Sequence, residues 1–274
     1  ALLLVLWACT LLAILLGGYA ALARTEGLQA RYQFAQTQAH YAAEAGLMRA
    51  IYGLQNPVAK QRWIGDGRVY SFKYDNATVT LSAIDEGGKV DLNAASPEVL
   101  RGLFRATGMK PAEAQALADH VVDWRNPVDL EGAGDSQRAV YAAAGRDYGP
   151  RNGPFASIEE LQMVLGMTPA LYRQVLPVVT IWAGSASPDP NIAPPLALAA
   201  IPGMTPQQQN AIQAARLKNA NDPSLVLNNG TTHSIRSEAA LADGTRAILR
   251  ATIRLQAGQA QPYAVLRWQE GEAE

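Results

Sequence analysis

Only one cysteine, Cys9, occurs in the 274 residues of this chain. A single thiol excludes an intrachain disulfide and a thiolate metal cluster. Excess charge of either sign is also missing: 23 Lys and Arg stand against 24 Asp and Glu, for a formal net charge of -1. Such a chain carries no general field for phosphate backbones or an anionic lipid face, so nucleic-acid binding would need a local basic patch. The histidines are few, and His40, His120 and His233 lie in separate segments without Cys or Glu at metal or nucleophile spacing. There is no Gly-rich nucleotide loop and no carboxylate pair suited to acid-base work. Glu159 and Glu160 follow Ser157 as a helix-start capping box rather than as an acid and its base. Catalysis has little to rest on, and a non-enzymatic role is expected.

Charge is absent altogether from the first 23 residues, and Arg24 is the first ionisable side chain. As a helix this stretch covers about 34 Å, enough to cross a hydrocarbon core of about 30 Å. It is too long for a secretory signal peptide and lacks the basic start of one. The chain opens on Ala rather than Met, as expected if a short basic leader has been removed ahead of the apolar run. No proline follows until Pro57, and Leu28, Tyr32, Ala35, Ala39, Ala42, Leu47, Ile51 and Leu54 recur mostly three or four apart. The pattern predicts one helix of about fifty residues, membrane-embedded at its start and amphipathic later, closed by Asn56-Pro57. Its middle holds too few large apolar residues to be buried on one small sheet, so it is expected to lie beside other helices.

Between residues 68 and 85 the period changes to two. Tyr70, Phe72 and Tyr74 alternate with Val69, Ser71 and Lys73, and Val79, Leu81 and Ala83 with Thr78, Thr80 and Ser82, around an Asp75-Asn76 turn. This predicts a β-hairpin with one buried face. The period returns in Ile248 to Leu255 and in Tyr263 to Trp268. The expected fold is therefore α+β, a long N-terminal helix packed on a small antiparallel sheet with a large all-helical domain inserted between the strands. The expected divisions are a transmembrane segment at 1–23, the rest of the first helix at 24–56, sheet at 57–88, insertion at 89–222 and sheet again at 223–274.

Inside the insertion a weak repeat recurs as Gly108-Met109-Lys110-Pro111, Gly166-Met167-Thr168-Pro169 and Gly203-Met204-Thr205-Pro206. Each is a glycine stop followed by a proline start, and so a helix-turn-helix hairpin. Such turns can bring backbone amides to a DNA phosphate. Val90 to Ser96 resembles the opening of membrane-anchored competence DNA receptors, which makes a helix-hairpin-helix DNA-binding protein the alternative reading. Against it, each turn holds one glycine rather than two, and only Lys110, Arg216 and Lys218 offer positive charge. Asp123 to Asp135 forms the most acidic loop, whose hard oxygens suit Ca2+ at about 2.3 to 2.6 Å, although the spacing is not that of an EF-hand. A merely solvated polar loop is the plainer alternative.

Together these pieces resemble a known family, the K-type minor pseudopilins of the bacterial type II secretion system. The resemblance rests on Tyr41 to Leu47, Lys89 to Leu100, Leu117 to Trp124, Asn152-Gly153-Pro154-Phe155, Glu159-Glu160-Leu161 with Leu165-Gly166-Met167, and His233 to Ala239. It implies a pilin-like sheet, a single-pass inner-membrane anchor with a methylated N-terminus, and a globular part in the periplasm. Expected partners are the I, J and H types of pseudopilin and the inner-membrane assembly platform, with no nucleic acid. Most pilins have glutamate at the fifth mature position, whereas this family typically lacks it, and Val5 stands here. The resemblance therefore implies a place at the filament tip, with the insertion as a cap. It also implies calcium in the loop, with Asp129 and Asp135 the leading ligands and Asp123 and Glu131 behind them. Asn126 and Gly134 depart from the family's acidic pattern.

Overall fold

The computed structural model describes residues 2–127, 133–219, 231–256 and 260–271, with the backbone alone at 133–135 and 219. Helix α1 runs unbroken over Leu2–Leu54. Its buried residues begin only at Ala39, and most are small: Ala39, Ala42, Ala43, Gly46, Ala50 and Gly53 alternate with Leu47, Ile51 and Leu54. Small side chains let the helix axis come close to the sheet it covers. At its end Gly53 makes room for Trp63, whose ring stacks on Tyr70 with centroids 4.0 Å apart.

The chain then forms β1 (Asp66–Tyr74) and β2 (Ala77–Asp85), joined at Asp75, which takes a left-handed φ of 53° as tight hairpin turns require. After the short β3 (Val90–Asp91) come α2 (Pro97–Ala106), α3 (Pro111–Arg125) and α4 (Ala133–Ala143). A 3-10 helix at Ile158–Met163 leads to α5 (Pro169–Val175) and β4 (Val179–Thr180), then to α6 (Pro195–Ala200) and α7 (Pro206–Asn219). The strands β5 (Thr232–Leu241), β6 (Arg246–Leu255) and β7 (Tyr263–Gly271) follow.

The sheet has the order β1-β2-β5-β6-β7, and every neighbouring pair is antiparallel. Val79, Leu81 and Ala83 of β2, Ile235 and Ala239 of β5, and Leu249, Ala251 and Ile253 of β6 form one core with α1. A second core, around Leu100, Leu103, Phe104, Leu117, Trp124, Leu161 and Leu198, belongs to the segment between β2 and β5. Those two strands are themselves neighbours, paired in register as far as Asp85 opposite His233. The chain thus leaves the sheet and returns to it at adjoining points.

All three glycine-proline turns are present, with Gly108, Gly166 and Gly203 at φ 93°, 91° and 76°. The residue there must be left-handed, which glycine adopts without cost. Ser96 caps α2 by accepting from Val99 N at 3.3 Å, and Thr168 caps α5 by accepting from Leu171 N at 3.2 Å. Two expectations need correction. Among the described residues the inserted region also contains the parallel pair β3 and β4, which ties its beginning to Val179 and Thr180. The Ser157 capping box does not form, because Ser157 makes no side-chain cap and both glutamates are engaged elsewhere: Glu160 accepts from Arg151, and Glu159 pairs with Arg267 at 2.7 Å. That last pair fastens the inserted domain to the rear of β7.

Candidate functional site

Helix α1 presents two apolar faces. Between Ala39 and Leu54 one face is spent on the chain's own sheet, as expected of a long helix packed on a small antiparallel sheet. On the opposite side Phe34, Tyr41, Met48 and Tyr52 remain exposed. Three of these are spaced by seven and the fourth follows four later, the repeat of a seam between two helices. N-terminal to this, residues 2–34 are exposed around the whole circumference, roughly 50 Å of helix standing clear of the domain. This stretch includes an 18-residue window of mean hydropathy 2.3, long and apolar enough to cross a membrane.

Where the helix meets the sheet, Gln38 Nε2 donates to Asn76 Oδ1 at 2.9 Å and Asp75 Oδ2 at 3.2 Å. The β1–β2 turn therefore sits at the end of the sheet nearest the projecting helix, and β2 runs away from it. Asp85, where the insertion departs, lies at the far end. The geometry places the inserted domain distal to the apolar segment.

The loop after α3 is braced from both sides. Trp124 stacks on Phe155 with ring centroids 6.1 Å apart, and its Nε1 donates to Glu160 Oε2 at 3.3 Å. Arg151 Nη1 donates to Glu160 Oε1 at 2.6 Å. Asn152, held at φ 54°, donates from Nδ2 to Gln137 Oε1 at 2.8 Å and to the Asp123 carbonyl at 3.4 Å. Asn93 clamps Phe155 by donating to its carbonyl at 3.1 Å and accepting from its N–H at 2.7 Å. Arg125 donates to the carbonyls of Leu92 at 2.8 Å and Ala95 at 2.7 Å. The Asp-Trp and Asn-Gly-Pro-Phe sequences thus form one framework that fixes the two ends of the acidic loop. Sequence reasoning singled out these motifs but missed Arg125 and Asn93, whose partners lie some thirty residues or more away.

Of the four expected metal ligands, Asp123 stands on the last turn of α3, half-buried. Burial pushes its carboxyl up, countered by His120 and a Gln137 hydrogen bond, while Asp119 pushes the same way as burial. Asp129 and Glu131 lie outside the described residues, as does the Asp135 side chain. Among the described residues no three His, Cys, Asp or Glu side chains come together to hold a metal.

The positive charges weighed for DNA do not converge usefully. Lys110 is exposed and 3.7 Å from Glu113. Arg216 is turned inward, donating to the carbonyls of Ala193, at 2.7 Å, and Pro190, and its burial lowers its pKa. Its charge fastens α7 to the segment before α6 instead of facing a phosphate.

Comparison with known proteins adds an independent finding. Residues 78–184 match the family model described as type II secretion system (T2SS), protein K. Two curated relatives are both called type II secretion system protein K. The one from Klebsiella pneumoniae is 31% identical over 166 residues, 57% of this chain and 49% of that protein. The one from Pseudomonas aeruginosa is 30% identical over 155 residues, 52% of this chain and 45% of that protein. The chain thus spans about half the length of the curated relatives it matches. The fold is that of a chain in the crystal structure of the GspK-GspI-GspJ complex from the enterotoxigenic Escherichia coli type 2 secretion system. The TM-score is 0.61 at 15% identity, covering 89% of this chain and 100% of that one.

Proposed function

We propose that this chain works as a non-enzymatic minor pseudopilin of the K type, anchored in the bacterial inner membrane by its first 23 residues, with its globular part in the periplasm. The observation that carries the reading is the second apolar stripe on α1, Phe34, Tyr41, Met48 and Tyr52, exposed although the opposite face already has its sheet. A helix apolar on two sides is built to be covered on both. The occupants of the second side are the helices of other minor pseudopilins, in keeping with the GspK-GspI-GspJ assembly of the structural neighbour.

The distal position of the inserted domain supports a place at the tip of the filament, where it caps growth and helps to start assembly. Val5 fits that place, since a subunit with nothing ahead of it has no amine to pair with a carboxylate in the membrane. In the same reading the acidic loop takes Ca2+ through Asp129 and Asp135, with Asp123 and Glu131 in support. Asp123 suits this, because its half-buried carboxylate has no Lys or Arg against it among the described residues. A bound ion there would neutralise the carboxylates that share it.

The test is the double variant Tyr41→Glu with Met48→Glu in the full-length protein. Both side chains are exposed, so its melting temperature should stay within a few degrees of wild type. Co-purification with small pilin-like chains, and secretion, should be lost. Association unchanged by two charges in the seam would refute the assembly role of α1.

A further inference from the structure

The neck between sheet and insertion contains a buried set of ionisable groups that the assembly role does not use. His233, the first residue of β5 paired with β2, is 1% exposed, and neither ring nitrogen has a hydrogen-bond partner among the described residues. Directly across the strand pair stands Asp85, also buried, with Nε2 and Oδ2 3.8 Å apart. Asp85 accepts from Gly87 N at 2.9 Å and so shapes the turn that leaves the sheet. Glu86 follows, fully buried, with Oε1 2.6 Å from Lys89 Nζ and Oε2 unpartnered.

A proton on His233 would face the Asp85 carboxylate, yet the imidazolium would have to exist without water. Burial is the stronger effect and lowers the His233 pKa, against the pull of Asp85, Glu86 and the Thr231 backbone. Among the described residues the charges that act on the ring are those of Asp85 and Glu86. The segment before β1 covers the ring with Gly65, where a Cβ would come 2.9 Å from His233 Cδ2, and the next ions, Asp66 and Arg68, pair with each other at 2.8 Å. On β6 the facing residue is Ile253, and neighbouring Arg254 is exposed. The end of α1 is uncharged.

The two cores are joined at the neck as well as through the Glu159–Arg267 pair. Gly88 lies so close to the insertion's Ile192 that a Cβ would stand 2.8 Å from its carbonyl oxygen, and Asp189 N donates to Gly87 O at 2.9 Å. Any water admitted to His233 must part these contacts or lift Gly65.

We propose that the neck is a proton-operated latch, in which neutral His233 keeps sheet and insertion locked and acid frees the insertion to swing while each core stays folded. The sign follows from the depressed pKa. The closed neck is fully stable above the unperturbed histidine value of about 6.5 and loses stability as pH falls below it, because the open, hydrated state binds the proton better. For each unit by which the closed-state pKa lies below that value, acid favours opening by up to about tenfold.

The experiment uses the full chain in lipid nanodiscs, with Cys9→Ser and spin labels at Ser71→Cys on β1 and Lys110→Cys on the first hairpin. Electron-spin distance measurements at pH 7.5 and 5.5 should show one narrow distance at the higher pH and a broad second population at the lower. His233→Gln should abolish that pH response. Should His233→Gln fail to fold, nitrogen-15 imidazole spectra of the unsubstituted chain decide. His233 should stay neutral as pH falls until the second population appears, and change with it. Overturning results are an unchanged distance at pH 5.5, the same broadening in a folded His233→Gln protein, or protonation of His233 without any change in distance.

Discussion

Gly46 of α1 lies against Ser237 of β5 with no room between them for a Cβ, which would also come 2.7 Å from Val79 Cγ1 of β2. The helix thus rests at its closest approach on the seam between the two strands that bracket the insertion. Gly46→Val is expected to force helix and sheet apart, at a cost of about 1–3 kcal/mol, and to lower the melting temperature by several degrees. Gly27, in the projecting part, meets nothing within 4 Å. Gly27→Ala should leave the melt unchanged or raise it slightly, since alanine is the better helix former. Equal losses in the two variants would contradict the close docking at Gly46.

Calcium at the acidic loop is checked by stability. An ion bound only to the folded state raises stability with the logarithm of its concentration over the dissociation constant. Millimolar Ca2+ should raise the melting temperature of the wild type, and Asp129→Ala with Asp135→Ala should remove the rise. A wild-type melt indifferent to Ca2+ and to chelator would leave the loop merely polar.

DNA binding is expected to be absent. The full chain in detergent should not retard duplex DNA at micromolar protein in 50 mM salt, where phosphate-driven binding is strong. A salt-sensitive shift abolished by Lys110→Glu, Arg216→Glu and Lys218→Glu together would favour the helix-hairpin-helix alternative, although Arg216→Glu also breaks the bonds to Ala193 and Pro190.

Replacing the insertion, residues 86–231, by a short Gly-containing turn should leave a folded sheet, because Asp85 and His233 already stand opposite each other on adjacent antiparallel strands. Circular dichroism should show a cooperative melt. Secretion should fall and surface filaments should lengthen if the insertion caps the tip, and normal values of both would rule that out.

What was legible in the sequence was local. Alternation of Val79, Leu81 and Ala83 announced the buried face of β2, and each glycine three residues before a proline announced a turn. Unbroken apolarity before Arg24 marked the projecting helix. What stayed hidden depends on residues far apart in the chain. Nothing near Arg125 says that it holds the carbonyls of Leu92 and Ala95, and nothing near Ser157 says that Glu160 will turn to Trp124 and Arg151. His233 and Asp85 meet only because the whole insertion closes on itself between them. The acidic loop was legible as composition, while its ligand geometry lies outside the described residues.

The pairing of β2 with β5 also decides how mechanical load travels. In the proposed assembly, a subunit pushed outward by those beneath it would receive force through α1, which bears on β2, β5 and β6. From there the load can pass directly across the β2–β5 ladder, beside the inserted domain, which joins the sheet at two adjacent strand ends and touches β7 through Glu159 and Arg267. Its size and surface are therefore free to change over evolutionary time without weakening the column that carries it.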